Sequence, residues 1–123
     1  MIHAALTERV IGLAIDVHRD TGPGLRESVY ERCLCYELHA AGIPFERQVA
    51  IPVIYKGQRL DEGFRADIVV DHAVIVEIKA VAAVLRVHEA QLLTYLRMSD
   101  IRVGLILNFH AGRLIERLRR LVV

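Results

Sequence analysis

The sequence predicts an α/β protein in which helices cover a mixed β-sheet with an antiparallel hairpin at its centre. Two stretches near the N-terminus repeat apolar residues with the period of a helix. The ribbon Phe64–Ala80 then contains two strand-like runs on either side of the polar tip Asp71-His72. A further helix-period stretch separates this hairpin from Val103–Asn108, a run that is apolar up to its last residue and typical of a buried strand. This order predicts an α/β sandwich whose last buried strand crosses over to another place in the sheet.

Three helices are predicted from apolar periodicity and from residues that begin or end helices. The first covers Thr7–Asp20, with Thr7 as its N-cap. The second covers Leu25–Ala41, and Gly42 supplies the residue after its C-terminus. The third covers Val84–Met98 and leads to the buried strand.

The remaining strands are less regular. Val49–Ile54 alternates as a strand, and Pro52 places it at a sheet edge or in a bulge because proline has no N–H to donate. Lys56-Gly57 is a hairpin turn. The C-terminal tail fits a helix by its leucines and a strand by its closing Leu-Val-Val, and we favour the strand.

Composition limits the class of protein. The 123 residues form one domain, residues 1–123, and 54% of them are hydrophobic. This apolar excess indicates burial against a partner, either a second copy in a homodimer or a larger complex. The formal net charge is +1, whereas an autonomous duplex binder is usually more basic. No apolar run has the ~18 residues of a membrane span. The side chains of Cys33 and Cys35 point in different directions on a helix and should not form a disulfide with each other, so we expect a reduced, cytoplasmic protein.

Three charges interrupt the apolar ribbon, namely Asp67, Glu77 and Lys79. Glu77 and Lys79 share a face because side chains alternate along a strand. A two-residue turn would place Asp67 on the opposite face from Glu77, whereas a three-residue loop would place the two carboxylates directly across from each other. We predict the odd-length loop. Two adjacent carboxylates need a proton or a cation between them, and oxygen ligands suit Mg²⁺ or Mn²⁺.

Two helices carry further polar residues that have two interpretations each. Glu27 lies in the first turn of the second helix with Tyr30 one turn later, so it either complements the helix dipole or adds a third carboxylate. His88, Gln91 and Tyr95 share one face of the third helix. They are either core-facing residues or a group that holds a phosphate or a nucleotide end.

Several motifs give the chain a resemblance to a known family. The spacing of Gly24, Glu27 and Tyr30 resembles the signature of the GxxExxY proteins, which belong to the PD-(D/E)XK nuclease superfamily. The resemblance runs from about Leu6 to Val122 and includes Y-K-G-Q-R-L-D-E-G-F-R-A-D, V-E-I-K-A and H-E-A-Q-L-L-T-Y-L. It implies a restriction-endonuclease-like core with its acidic residues on the central hairpin.

The resemblance also implies roles for residues. Asp67, Glu77 and Lys79 match the catalytic motif, although Ala66 stands where the superfamily has proline. Glu27 matches the acidic residue of the first core helix, and the Ile78 carbonyl would be a metal ligand. Gln91 and Tyr95 match the Q-x-x-x-Y of the helicase-nuclease branch. His88 and Tyr30 would help to position substrate.

The predicted function is therefore Mg²⁺- or Mn²⁺-dependent hydrolysis of nucleic acid, with DNA the expected substrate. The alternative is a non-catalytic binding or assembly module that keeps this fold as a subunit of a larger complex. An enzyme of small phosphorylated substrates has no feature in its favour.

Overall fold

The computed structural model describes residues 2–110, 112–114 and 118–123. Within these residues the helices are α1 (Ala4–Thr21), α2 (Glu27–Ala40) and α3 (Arg86–Ser99). The strands are β1 (Phe45–Ala50), β2 (Val53–Tyr55), β3 (Gln58–Leu60), β4 (Arg65–Val70), β5 (Val74–Lys79), β6 (Val103–Asn108) and β7 (Leu118–Val122).

The main sheet has the strand order β1-β4-β5-β6-β7. Its neighbours pair antiparallel except for β5 and β6, which are parallel and joined by α3 as a crossover. Strands β2 and β3 form a separate two-stranded hairpin. The predicted α/β architecture, with a mixed sheet and a central antiparallel hairpin, is confirmed.

Helices cover both faces of the main sheet. On the first face, α1 and α2 pack against a buried cluster that includes Leu34, Ile68 and Leu105. On the second face, α3 packs Leu92 and Leu96 against another cluster from the same strands. Because β6 is covered on both sides, its residues 103–107 read in the sequence as a continuous apolar run.

The hairpin loop between β4 and β5 has three residues, Asp71-His72-Ala73, as predicted. The register pairs Val70 with Val74 and Ile68 with Val76. Asp71 and His72 adopt left-handed φ angles of 50° and 52°, which short polar loop residues tolerate better than β-branched ones. The odd loop therefore brings Asp67 to the level of Glu77 on the neighbouring strand.

Other boundaries differ from the sequence prediction. Helix α1 begins at Ala4 with His3 as its N-cap, so the prediction of Thr7 as N-cap is wrong. Thr7 lies inside the helix, where its hydroxyl donates to the carbonyl of His3 at 2.8 Å. Gly42, with φ of 71°, follows the end of α2 as predicted.

The predicted strand Val49–Ile54 is divided at Pro52. Strand β1 ends at Ala50 as an edge of the main sheet, and β2 begins at Val53 in the small hairpin. The three-residue strand β3, which the sequence analysis missed, completes that hairpin across the predicted Lys56-Gly57 turn.

The predicted C-terminal strand is confirmed as β7, which pairs with β6, while residues 115–117 of the tail lie outside the described residues. Cys33 and Cys35 are both free thiols. Among the described residues, the helices lack the length and hydropathy that crossing a membrane requires.

Candidate active site

The regular alternation of side chains breaks at one level of the sheet. Residues an even number apart on a strand should share a face. On β1, however, Phe45 packs against the α1–α2 cluster and Val49 against the α3 cluster. On β4, Ile68 belongs to the α1–α2 cluster and Ala66 to the α3 cluster. The break therefore lies between these residues, and on β4 it falls on Asp67.

Gln48 stands opposite Asp67 at this break. It has a left-handed φ of 54°, although the β1–β4 register is the same on both sides of it. A non-glycine residue in this region of backbone space is uncommon, and such residues concentrate at functional sites. The distorted level of the sheet thus coincides with the first predicted catalytic residue.

The carboxylate of Asp67 reaches the neighbouring strand directly. Regular pairing between β4 and β5 ends at Ile68 and Val76. Beyond that pair, Asp67 Oδ2 accepts a hydrogen bond from the backbone N–H of Ile78 at 2.8 Å. This bond places the Asp67 carboxylate beside the strand that carries Glu77 and Lys79.

Glu77 is a buried carboxyl group next to Asp67. Its exposed fraction is 6%, and within the described part of the chain its Oε1 atom has no hydrogen-bond partner. Burial and the negative charge of Asp67 raise the pKa of Glu77 to about 9, against a smaller lowering by the charge of Lys79. Without a cation, this group keeps its proton at neutral pH.

Lys79 follows Glu77 on the same face of β5 and is half-buried. Its backbone is fixed, because its carbonyl accepts from the N–H of Phe109 at 2.8 Å and it pairs with Asn108 on β6. Among the described residues, no carboxylate lies within 4.0 Å of its ammonium group. The charge is therefore available to a ligand.

The structure separates the roles of Glu27 and Tyr30. Glu27 begins α2, and its Oε2 accepts from the N–H of Ala80, just past Lys79, at 3.0 Å. Tyr30 is fully buried and stacks on Phe109 with ring centroids 4.5 Å apart.

The hydroxyl of Tyr30 donates to the carbonyl of Gly22 at 2.6 Å and accepts from the N–H of Leu25 at 3.2 Å. The ring and the hydroxyl of Tyr30 are both used inside the fold, which favours a structural role, and its predicted role in positioning substrate stays a prediction. Tyr30 ties the α1–α2 turn and so positions Glu27, which begins the helix.

A second buried glutamate, missed by the sequence analysis, lies behind Asp67. Glu31 is 3% exposed and forms an ion pair with the Nε of Arg47. The Nε2 of Gln48 donates to Glu31 Oε1 at 2.8 Å and to Asp67 Oδ1 at 3.3 Å. Burial raises the pKa of Glu31, and the negative charge of Asp67 adds to the rise. The hydrogen bond from Arg47 lowers the pKa by less than burial raises it. Gln48 therefore links the two carboxylates.

The sequence contains a signal for Glu31. It lies three, four and seven residues before Leu34, Cys35 and Leu38, so it occupies a position on the apolar stripe of α2. A charged residue in such a stripe needs a buried partner. The partners themselves could not be read, since they depend on the left-handed backbone at Gln48.

The polar residues of α3 take different positions. Tyr95 is 4% exposed, and burial together with the charges of Glu77 and Asp67 raises the pKa of its phenol. Gln91 is exposed one turn earlier. The Nδ1 of His88 accepts from the N–H of Leu85 at 3.0 Å and so caps the start of α3. Tyr95 is thus near the carboxylates, and His88 has a local structural partner.

Comparison with known proteins agrees with this geometry. A family model of the PD-(D/E)XK nuclease superfamily matches residues 4–121. The chain belongs to this superfamily. The mixed sheet with helices on both faces agrees with a restriction-endonuclease-like fold. Searches of curated proteins and of solved structures gave no significant match.

The carboxylates of this PD-(D/E)XK domain fit a hard divalent cation. Asp67 and Glu77 are adjacent oxygen donors, and the unpartnered Oε1 of buried Glu77 lacks the counter-charge that an ionised carboxylate needs. Within the described ranges, no three His, Cys, Asp or Glu side chains are close enough together to form a cluster that could hold a metal. The site in the protein alone is thus a carboxylate pair, with Glu27 and Glu31 at its margins.

Proposed function

We propose that this PD-(D/E)XK protein hydrolyses phosphodiester bonds of nucleic acid, with DNA the expected substrate and Mg²⁺ or Mn²⁺ as cofactor. The observation that carries the proposal is the buried, unpartnered Glu77 oxygen beside Asp67. Carboxyl groups whose pKa is raised as far as that of Glu77, to about 9, are concentrated at functional sites. Superfamily membership makes the nucleic-acid phosphodiester the substrate class that best fits such a site.

Asp67 and Glu77 would hold the cation, with the Ile78 carbonyl as a further oxygen ligand from the same strand. The bound cation would supply a water of lowered pKa and stabilise the negative charge that develops on the phosphate. The Ile78 N–H holds the Asp67 carboxylate in place, which preorganises the pair. Glu27, fixed on the N–H of Ala80, would complete the acidic site through water.

Lys79 would neutralise the developing anion or orient the attacking water. Its rigid backbone and the lack of an ion-pair partner in the described residues support this role. Gln91 and Tyr95 would position the nucleic-acid substrate, with His88 as a helper at the start of the same helix. A homodimer or a larger complex remains part of the proposal because the composition is unusually apolar.

Asp67→Asn tests the proposal most simply. We expect wild-type protein with Mg²⁺ or Mn²⁺ to cleave single- or double-stranded oligonucleotides. We expect Asp67→Asn to cleave them at least about 100-fold more slowly. Asparagine can still accept from the Ile78 N–H, so the fold should survive. Asp61→Asn, at an exposed aspartate in the β3–β4 loop, is the matched control and should cleave at the wild-type rate.

Two outcomes would count against the enzyme. If wild-type protein cleaves neither DNA nor RNA with any divalent ion, the result favours the alternative of a non-catalytic binding or assembly module. If Asp67→Asn cleaves as fast as wild type, the activity belongs to a contaminant or to another site.

Gln48→Ala tests whether the distorted level of the sheet positions Asp67. The change removes the donor shared by Glu31 and Asp67. We expect the affinity for Mn²⁺ to fall about 10- to 100-fold, the usual effect of removing a group that orients a metal ligand. Isothermal titration measures it, with Gln58→Ala on exposed β3 as the control. Unchanged affinity would mean that the Ile78 N–H alone orients Asp67.

A further inference from the structure

A cavity of about 180 Å³ opens between α3 and the segment that enters β4. Its apolar wall consists of Ile51, Val53 and Met98. None of the described residues that line it carries a charge. The cavity therefore suits an uncharged, largely apolar group, and it lacks the cation that would hold a phosphate.

Aromatic and polar side chains complete the lining. The rings of Phe64 and Tyr95 lie 6.2 Å apart and are tilted by 56°. Phe64 is 42% exposed, so one part of its ring is open to a ligand. The exposed amide of Gln91 lines the same cavity and makes no hydrogen bond within the described part of the chain. The lining thus combines an exposed ring with a free donor and acceptor.

Tyr95 connects this cavity to the candidate metal centre. It lines the cavity and belongs to the same buried cluster as Ala66, the neighbour of Asp67 on β4. Phe64 lies three residues before Asp67 on the same segment. A chemical group that fills the cavity would therefore belong to the part of the substrate next to the phosphate at the carboxylates.

We propose that this cavity receives one unpaired nucleobase of the substrate, stacked on Phe64 and hydrogen-bonded by the amide of Gln91. A base presents a planar face and polar edges, which match an exposed aromatic ring and a free amide. The inference rests on the proposed hydrolysis of nucleic acid and narrows its substrate class. A base inside a duplex is already stacked and paired, so the protein would act on single strands, frayed ends or extruded nucleotides.

Small probes without a phosphodiester test the cavity separately from cleavage. Thymidine 5′-monophosphate and 2-deoxyribose 5-phosphate share a phosphate and differ by the base. In the presence of Mg²⁺, we expect the nucleotide to shift the ring-proton NMR signals of Phe64 and Tyr95, and the sugar phosphate to leave them unchanged. Thymidine alone should produce the same shifts at higher concentration.

Variants identify the contact. Phe64→Ala should weaken binding of the nucleotide about 10-fold, a typical loss for one stacked base. Gln91→Ala should weaken it less and keep the shift at Phe64. Tyr36→Ala removes an aromatic ring that is 72% exposed on α2 and should bind as wild type does. Both Phe64 and Gln91 are exposed, so these variants should fold.

The outcomes separate the two proposals. Equal shifts with the sugar phosphate, or no shift at Phe64 with any probe, would overturn the base cavity even if DNA is cleaved. Base-dependent shifts without cleavage of any nucleic acid would support the cavity and contradict hydrolysis. If both hold, single-stranded oligonucleotides should be cleaved faster than blunt duplexes, and Phe64→Ala should remove that preference.

Discussion

Glu77→Gln is expected to make the protein more stable at pH 8 and to abolish its cleavage of nucleic acid. Burial and the charge of Asp67 raise the pKa of Glu77 from 4.5 to about 9 in the folded protein. The folded state then binds a proton that the unfolded state has lost. Stability from this group is complete below pH 4.5 and declines by up to about 1.4 kcal/mol per pH unit as the pH rises toward 9. Glutamine carries no such penalty.

Urea unfolding between pH 5 and pH 8 measures this effect. The free energy of unfolding of wild-type protein should fall with pH relative to Glu77→Gln, and the variant should be more stable by about 2 kcal/mol at pH 8, allowing for relaxation of the buried site. Glu62→Gln, at an exposed glutamate, should follow wild type. Parallel pH profiles for wild type and Glu77→Gln would show that Glu77 titrates as an ordinary exposed carboxyl group.

Mg²⁺ should reverse the order of stability. A cation that binds only the folded protein stabilises it in proportion to the logarithm of its concentration above Kd. We therefore expect Mg²⁺ to stabilise wild type and to leave Glu77→Gln unchanged. The same variant would thus gain stability and lose activity, the trade-off typical of a functional buried charge.

Lys79→Met is expected to lower the rate of cleavage about 100-fold or more while leaving Mn²⁺ binding intact. Loss of one group that stabilises transition-state charge typically costs about 10²- to 10³-fold in kcat. Methionine keeps the apolar stem of the side chain, and the backbone bonds of Lys79 do not depend on its ammonium group.

Lys56→Met is the matched control for this change. The chain has two lysines, and Lys56 lies exposed in the β2–β3 turn. Cleavage by Lys79→Met at the wild-type rate would remove Lys79 from the chemistry. A parallel loss of Mn²⁺ binding would instead mean that Lys79 supports the fold of the site.

The central hairpin could be predicted from the sequence because its register follows from simple rules. Alternation fixed the shared face of Glu77 and Lys79, and the requirement that Asp67 meet Glu77 fixed the three-residue loop at Asp71. The helix-period stretch before β6 likewise predicted a crossover, and the structure adds that β6 pairs parallel with β5.

The surroundings of the carboxylates could not be predicted in the same way. The left-handed backbone at Gln48 coincides with the break in the alternation of β1 and β4, and no residue type in that stretch indicates it. Glu31 is buried only because α2 docks beside this break. Tyr30 matched a motif, yet the hydroxyl partners that show its structural role lie in the α1–α2 turn.

Titration of Mn²⁺ into wild-type, Asp67→Asn and Glu77→Gln protein, with cleavage of an oligonucleotide measured on the same samples, tests the central claim most directly. The carboxylate pair predicts that wild type binds Mn²⁺ and cleaves, and that both variants lose binding and cleavage together while remaining folded. Binding of Mn²⁺ by Asp67→Asn and Glu77→Gln with the wild-type affinity would contradict it, because the metal would then lie elsewhere.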